Sequence, residues 1–387
     1  MPVQFLTGNR LKLLRSGVEY FPALEHAIQA AREDIFLETY IYKDDDTGWR
    51  ITEALVDAAR RGVTVHLMVD GFGSKDMPEE LVRRLCDSGV HLLVFRPELW
   101  HMRFQRDRLR RLHRKLAVAD HEVAFVGGIN IIDDFDTPRQ KPPRYDYAVR
   151  IEGPLVGAVR EEAARLWNRI ALARLQRSWR VRHPHHTPRL PSRGSQKAAL
   201  VVRDNFRHRR DIEDAYLEAI GTAQQEIIIA SAYFFPGIRF RHALISAAAH
   251  GVRVVLLLQG RVEYVLLHYA SRALYGTLLE AGVEIYEYHR SFLHAKVAVV
   301  DGHWATVGSS NIDPFSLLLA REANVVAEDR RFAVELRASL RAAIEQGARV
   351  VVKTRWFRQP LWRRLPIWLG YGLARLSVGL FGFGGRF

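Results

Sequence analysis

The stretch that decides the fold is His294-Ala-Lys-Val-Ala-Val-Val-Asp301, which is followed by Gly308-Ser309-Ser310-Asn311. An earlier stretch, His113-Arg-Lys-Leu-Ala-Val-Ala-Asp120, has the same His, Lys and Asp spacing and is followed by Gly127-Gly128-Ile129-Asn130. Two copies with matching distances to glycine and asparagine indicate an internal duplication, so each half of the chain contributes one set of these residues.

The spacing inside each copy predicts a small polar site. Side chains alternate along a strand, so His294 and Lys296 point from one face. Asp301-Gly302 is a hairpin turn signal, and the returning strand brings the segment after Gly308 back beside His294. Cross-strand neighbours have Cβ atoms about 5 Å apart. The sequence therefore predicts an anion site that contains a nucleophile.

The motif aspartates do not fit the role of histidine partners. Seven residues of strand place Asp301 about 23 Å from His294, and the odd spacing turns it to the other face. Asp120 and Asp301 are therefore predicted to be structural. The carboxylate that orients each imidazole must come from a neighbouring strand, and the candidates are Asp146 and Glu322, which follow the two histidines by similar distances.

The repeat extends beyond the motifs. The segment that begins at Ala31 resembles the one at Ala223, and the segment at Ala54 resembles the one at Ala243. Each half alternates strands and helices, which predicts an α/β fold of two duplicated lobes, each a mixed, mainly parallel β-sheet flanked by helices. A pseudo-two-fold would place the active site between the lobes. The predicted boundaries are 1–176 and 200–352 for the lobes, 177–199 for a basic linker and 353–387 for a basic, aromatic tail.

Composition narrows the classes of partner. The chain has 387 residues, 48% of them hydrophobic, and a formal net charge of +14, which predicts folded cores and attraction to nucleic acid or to an anionic membrane surface. The single cysteine, Cys86, excludes an intrachain disulfide framework. The N-terminus lacks the basic start and apolar run of a signal peptide or span, which favours a protein made and kept in the cytosol.

The paired motifs resemble those of the phospholipase D superfamily, and the stretch from His303 to Pro314 followed by Glu322-Ala-Asn-Val-Val resembles bacterial cardiolipin synthases. The resemblance implies that His113 is the nucleophile, which forms a phosphohistidine, and that His294 is the general acid and base. The catalytic motif residues are then His113, Lys115, Asp120, His294, Lys296 and Asp301.

The chemistry of a phosphodiester fits the remaining residues. Its charge needs neutralising, which Lys115 and Lys296 can do, while Asn130, Ser309 and Asn311 supply hydrogen-bonding groups around the phosphate. A metal ion is disfavoured because it would lie beside two ammonium groups, so no metal or other cofactor is predicted.

The resemblance implies transfer of a phosphatidyl group between two phosphatidylglycerol molecules, which gives cardiolipin and glycerol. Hydrolysis or headgroup exchange on other phospholipids, a nuclease and a non-enzymatic membrane-binding protein are the alternatives. The expected partners are anionic phospholipids, namely phosphatidylglycerol and cardiolipin, and the membrane surface, with no obligatory nucleic acid. The expected location is peripheral, on the cytoplasmic face of the bacterial inner membrane.

Three flanking segments bear on the substrate. The arginine-rich run from Arg103 to Arg114 could bind phosphates of a lipid headgroup or of DNA, or could be a solvated loop. The linker histidines His183, His185 and His186 have no accompanying carboxylate or cysteine, so a solvated linker is favoured over a metal site. The tail carries tryptophans among arginines, which is typical of a segment that lies on an anionic membrane, although it could pack on the body instead.

Overall fold

The structure, a computed structural model, describes residues 3–97, 110–137, 140–181, 190–262 and 264–380. Most of the arginine-rich run before His113 and the linker histidines His183, His185 and His186 lie outside these described residues, as do the last seven residues of the tail.

The first half alternates strands and helices and then forms a hairpin. In chain order its elements are β1 (Leu6–Arg15), α1 (Ser16–Ala30), β2 (Asp34–Thr39), α2 (Asp46–Arg60), β3 (Thr64–Asp70), α3 (Glu79–Asp87), β4 (His91–Phe95), β5 (Lys115–Ala119), β6 (Val123–Gly127), β7 (Arg144–Tyr145), β8 (Tyr147–Glu152) and α4 (Leu155–Ala173), followed by a 3₁₀ turn (Arg177–Trp179).

The second half repeats this order and adds elements at its end. They are β9 (Gln196–Arg203), α5 (Asp211–Thr222), β10 (Glu226–Ser231), α6 (Ile238–Ala249), β11 (Arg253–Gln259), α7 (Val265–Ala273), α8 (Tyr275–Glu280), β12 (Glu284–Tyr288), β13 (Phe292–Leu293), β14 (Lys296–Val300), β15 (Trp304–Gly308), α9 (Pro314–Leu318), β16 (Glu322–Glu328), α10 (Arg330–Gly347), β17 (Ala348–Val350), α11 (Lys353–Phe357) and α12 (Leu361–Leu380).

The strands form one continuous sheet of 15 strands, in the order β17-β12-β11-β10-β14-β15-β16-β9-β1-β8-β6-β5-β2-β3-β4. The two lobes join edge to edge where β1 pairs antiparallel with β9. Outward from this junction the strands of the two halves follow in equivalent order, β17 being the addition at one edge. An approximate two-fold axis between β1 and β9 produces this arrangement.

The prediction of an α/β fold with two duplicated lobes and a mixed sheet is confirmed. Parallel pairing joins β2, β3 and β4 in one lobe and β10, β11 and β12 in the other. The motif hairpins β5–β6 and β14–β15 are antiparallel and lie nearer the junction. Every residue of these four hairpin strands is buried, because helices cover both faces of the sheet.

The core shows how the lobes are held together. Beneath α4 and α10 a single apolar core runs across both lobes and includes Trp167, Val149, Val325 and Leu336. On the other sheet face each lobe has a core of its own. The lobes are therefore bonded through the sheet and through one shared core, which fixes their relative position.

One of the sequence-based boundaries differs from the structure. Strand β9 begins at Gln196, inside the stretch predicted to be linker, because its residues pair with β1 and β16. The tail begins at Lys353 as predicted and forms α11 and α12. Ile367 and Ala374 of α12 are buried, and the Tyr371 ring lies 5.9 Å from that of Phe235, so one face of α12 packs on the second lobe.

Candidate active site

Two short parallel contacts cross between the lobes. Strand β7 of the first lobe pairs with β13 of the second, and Leu112 forms a parallel bridge with Arg321. Through these contacts the backbone N–H of His294 donates to the carbonyl of Tyr145 at 2.8 Å, and that of His113 donates to the carbonyl of Arg321 at 3.0 Å. Each catalytic histidine, and each candidate carboxylate, is therefore the residue directly after one that pairs with the opposite lobe.

The contacts between the lobes determine which carboxylate hydrogen-bonds to which imidazole. His113 Nδ1 lies 2.9 Å from an oxygen of Glu322, and His294 Nδ1 lies 2.6 Å from an oxygen of Asp146. The similar spacing in the two halves suggests that each carboxylate serves the histidine of its own half, and the structure shows the opposite pairing. Since Nδ1 is held by a carboxylate in both rings, Nε2 is the nitrogen left for a reacting group.

The two lysines are almost fully buried, at 2% and 1% exposure for Lys115 and Lys296. Lys296 Nζ lies 3.3 Å from Asp146 and 2.7 Å from His294 Nδ1. Lys115 Nζ donates to the carbonyl oxygen of His113 and lies 5.3 Å from the centre of the Tyr40 ring. Two cationic groups thus lie against the two imidazoles at the base of one cleft.

Electrostatics favour the neutral form of both imidazoles. Burial, with the Lys296 ammonium beside it, lowers the pKa of His294 to about 3. Burial also lowers the pKa of His113, although Glu322 opposes the shift. Burial lowers the pKa of Lys115 to about 7 despite the charges of Glu322 and Asp146. An anion bound here would favour the protonated form of each of these groups.

Asp146 stays ionised because two favourable interactions outweigh the effect of its burial. Burial alone would raise its pKa, but the Lys296 ammonium and the hydrogen bond to His294 together hold the pKa below its ordinary value. An ionised Asp146 accepts a hydrogen bond from the Nδ1–H of His294, which fixes the tautomer in which Nε2 carries the lone pair.

The Ser309 side chain makes hydrogen bonds within the protein, and its phosphate contact stays a prediction. Its side chain is fully buried, and its hydroxyl donates to Glu322 while accepting from the N–H of Ala323. The first lobe has Gly128 at this position, where an added Cβ would lie 2.4 Å from an oxygen of Asp146. One lobe therefore supports its carboxylate with a hydroxyl, whereas the other lets the carboxylate approach the backbone directly.

The two asparagines also differ. Asn130 Oδ1 accepts from the backbone N–H of Ile41 at 3.1 Å. Asn311 Oδ1 is buried and has no hydrogen-bond partner within the described part of the chain. A buried oxygen without a donor is costly, so the Asn311 oxygen is available to accept a hydrogen bond from a hydroxyl of the substrate or of the leaving alcohol.

The motif aspartates lie far from the imidazoles, at the opposite ends of their strands. Asp120 accepts from the backbone N–H groups of Arg32, Glu33 and Asp34, and has a positive φ of 54°. Asp301 does the same for the three N–H groups of residues 224–226, with a φ of 50°, and Gly302 completes the tight turn at a φ of 64°. Both aspartates fasten the start of a neighbouring strand, so their contacts are structural.

Sequence reasoning missed two residues that hold the segments before the histidines. Asp70 accepts from the N–H of Leu112 at 2.8 Å, and Gln259 accepts from the N–H of Leu293 at 3.3 Å. Asp70 ends β3 and Gln259 ends β11, which are equivalent strands. A polar residue that ends the same repeated strand in both halves is the signal that would have identified them.

Duplicated α/β lobes with paired His and Lys residues in one cleft define a phospholipase D-like phosphotransferase fold. The structure resembles the crystal structure of a phosphatidylserine synthase from Haemophilus influenzae, with a TM-score of 0.74 and 14% identity over 99% of this chain and 97% of that one, a likeness that concerns the fold.

A family model described as "Cardiolipin synthase, PLD-like domain" matches residues 24–167 and 216–344, which contain both motifs. The chain is 40% identical over 385 residues to cardiolipin synthase B of Escherichia coli K12, covering 99% of this chain and 92% of that protein. It is 38% identical to cardiolipin synthase B of Salmonella typhi over 97% and 90% of the two chains. The chain belongs to the cardiolipin synthase family of phospholipase D-like proteins.

Proposed function

We propose that this protein synthesises cardiolipin by transferring the phosphatidyl group of one phosphatidylglycerol to a second, with release of glycerol. The observation that carries the proposal is the pair of neutral imidazoles, each fixed through Nδ1 by a carboxylate of the opposite lobe and backed by a buried lysine. One site of this kind provides both a nucleophile and a proton carrier for a phosphodiester.

In the first step Nε2 of His113 attacks the phosphorus of the donor. A P–N bond forms, the P–O bond to the glycerol headgroup breaks, and the departing oxygen takes a proton from His294. Lys115 and Lys296 neutralise the charge on the non-bridging oxygens, and the Asn130 and Asn311 amides bind around the phosphate.

In the second step the primary hydroxyl of another phosphatidylglycerol gives its proton to His294 and attacks the same phosphorus. The P–N bond breaks, and cardiolipin leaves with the site restored. Water arriving in place of this alcohol would give phosphatidate, so product identity depends on keeping water out of the cleft.

The proton for the leaving glycerol depends on substrate binding. Burial and the Lys296 ammonium lower the pKa of His294 to about 3, which favours its neutral form. A phosphate anion next to the two ammonium groups offsets their field, which favours the imidazolium form. The pair of histidines should therefore acquire its working proton only when the donor lipid is bound.

The chemistry is tested with phosphatidylglycerol vesicles and analysis of all products. The wild type should release one glycerol for each cardiolipin, and His113→Ala and His294→Ala should each lower the rate at least about a thousandfold. His303→Ala, at an exposed hairpin, is the matched control and should keep full activity. Phosphatidate as the main product, or near-normal synthesis by either active-site variant, would contradict the proposal.

The roles of the two histidines are tested by trapping. Acid-labile phosphohistidine should accumulate in a quenched reaction of the wild type and be missing from His113→Ala. Adduct in His113→Ala together with its loss from His294→Ala would reverse the two assignments.

We also propose that the enzyme works peripherally on the cytoplasmic face of the inner membrane, with anionic phospholipids as its partners. None of the helices in the described residues is long and apolar enough to cross a bilayer. Helix α12 packs one face on the second lobe, and its other face exposes Trp362, Leu365, Trp368, Leu369, Leu373 and Leu376. Aromatic and leucine side chains at the surface, with arginines in the same segment, suit an anionic interface.

A further inference from the structure

Exposed apolar side chains are concentrated at one end of the sheet. In the two lobes, every exposed phenylalanine among the described residues lies on a loop or, for Phe315, on the short helix α9, at the end that carries the catalytic histidines. They are Phe72, Phe135, Phe206 and Phe315, with exposures of 44%, 69%, 68% and 39%. Scattered apolar residues are ordinary on a protein surface, but four phenylalanines placed around one cleft are not.

These positions follow the two-fold relation of the lobes. Val18 and Phe206 come directly after the equivalent strands β1 and β9, whose ends adjoin Asp146 and Glu322. Phe135 and Phe315 come after the equivalent asparagines Asn130 and Asn311.

The segments that follow β3 and β11 are a third pair of equivalent positions. Phe72 follows β3, and Val262 and Tyr264 follow its counterpart β11. Val18, Val262 and Tyr264 are exposed as well. Both lobes thus contribute apolar side chains at matching places, and we call these seven residues the apolar rim.

Positive charge accompanies the rim. The Arg111 guanidinium lies 4.9 Å from the centre of the Phe72 ring and the Lys75 ammonium lies 5.8 Å from it. Arg207 and Arg209 follow Phe206 directly and are exposed. Lys75, Arg207 and Arg209 are exposed, whereas Arg111 is largely buried and lies 3.9 Å from Asp70. Exposed rings beside the three exposed cations match the boundary of an anionic bilayer, where rings enter the interface and cations meet phosphates.

The rim is continuous with the exposed face of the tail. Helix α7, which begins just after Tyr264, exposes Val265 and Leu266. Helix α12 lies against α7, since a Cβ added at Gly370 would be 2.7 Å from Cβ of Tyr269. The two surfaces therefore meet at α7.

We propose that the apolar rim is the bilayer-docking surface of the enzyme, so that the catalytic cleft opens onto the lipid interface. The inference rests on the proposed function for its lipid substrate, but it concerns docking and not chemistry. Substrate headgroups then reach the histidines directly from the leaflet, and the tail helix adds contact instead of supplying all of it.

The decisive variant changes the two most exposed phenylalanines, one from each lobe: Phe135→Ser with Phe206→Ser. Its matched control is Val334→Ser with Val350→Ser, two exposed apolar residues away from the cleft. Binding of the full-length proteins to phosphatidylglycerol-containing vesicles is measured by sedimentation. Losing two ring contacts should weaken binding about a hundredfold, since burying one phenylalanine is worth roughly tenfold or more, and the control should bind as the wild type does.

Turnover of a short-chain phosphatidylglycerol below its micelle concentration separates docking from chemistry. The rim variant should process this monomeric lipid within about twofold of the wild-type rate, because P–O cleavage does not need the bilayer. Rim variant binding equal to that of the control, or an equal loss on monomeric and vesicle lipid, would overturn the inference. Failure of the proposed chemistry would appear separately, as absence of cardiolipin from the wild type with vesicle binding unchanged.

A spin label gives an independent measurement of the docked face. The chain has one cysteine, so Cys86→Ser permits single labels at Phe206→Cys and at Val334→Cys. Vesicles should raise oxygen accessibility at position 206 and leave position 334 unchanged. The reverse pattern, or no change at position 206, would contradict docking through the rim.

Discussion

The two lobes carry the same histidine and lysine on equivalent strands, yet they support them differently. In the first lobe the residue between them is Arg114, which is 1% exposed and forms ion pairs with Glu38 and Glu162 on the opposite sheet face. In the second lobe this residue is Ala295, buried in an apolar core. The second lobe also inserts α7 between β11 and α8.

The difference shows which features the site needs. On the opposite face of the motif strand, one lobe has buried ion pairs and the other has apolar packing. The hydrogen bonds between the lobes, in contrast, are equivalent for the two histidines. A histidine N–H donates to an opposite-lobe carbonyl, and its Nδ1 meets an opposite-lobe carboxylate. The interface between the lobes therefore determines the catalytic geometry. Neither lobe alone contains a histidine together with the carboxylate that orients it.

Of the substitutions that test this comparison, removing the charge of either orienting carboxylate should lower activity most. Glu322→Gln and Asp146→Asn keep the shape of the side chain but can present a donor to Nδ1, which favours the wrong tautomer. Each should lower kcat by about a thousandfold or more with little change in melting temperature. Rates and melting curves measured together provide the check, and a variant that keeps more than a tenth of the wild-type rate would argue against an orienting role.

Exchanging the residues that differ beside the carboxylates should have the next largest effect. Gly128→Ser places a Cβ where Asp146 lies 2.4 Å away, and a shift of this carboxylate should lower kcat/KM about a hundredfold. Ser309→Ala removes one donor to Glu322 and should cost about tenfold. Gly221→Ser, at a glycine with open space around it, controls for the substitution itself. Equal effects of the first two changes would mean that the two sides are interchangeable.

Substitution of the motif aspartates should affect folding and not rate. Asp120→Asn and Asp301→Asn each weaken a carboxylate that accepts from three backbone N–H groups, so the free energy of unfolding should fall by about 2 kcal/mol. Turnover at a temperature where the protein is folded should stay within about threefold. Denaturant unfolding and activity at low temperature test this, and a large rate loss without destabilisation would show that these residues act on the chemistry.

Much of this could be predicted from the sequence because it is local. The spacing of His, Lys and Asp on a strand, and the Asp301-Gly302 turn, determine where side chains point within one hairpin. The pairing of Glu322 with His113 could not be predicted, since it depends on how β7 meets β13 and how Leu112 meets Arg321 between lobes. The hydrogen bond of Ser309 to Glu322 could not be predicted for the same reason: the strand pattern places the hydroxyl in the site, but its partner depends on how the chain packs there.

The smallest expected effect concerns the lysine of the first lobe. The pKa of Lys115 is lowered to about 7, with burial as the main cause, so its charged fraction falls as pH rises through 7. A soluble phosphodiester that remains a monoanion, such as glycerophosphoglycerol, should bind about fivefold more weakly at pH 8 than at pH 7. Calorimetry in two buffers should show proton uptake above pH 7. In Lys115→Arg, where the charge is permanent, the part of the slope that comes from Lys115 should vanish and only proton uptake by the histidine pair should remain; a slope equal to that of the wild type would assign the titration to another group.

The central claim is that each imidazole is held by the carboxylate of the opposite lobe, and nitrogen NMR of histidine-labelled protein tests it most directly. With the two active-site rings assigned from single His→Gln variants, Glu322→Gln should alter the Nδ1 resonance of His113 and leave that of His294 in place. Asp146→Asn should do the converse. If Glu322→Gln instead perturbed His294 and spared His113, each lobe would serve its own histidine and the crossed site described here would be wrong.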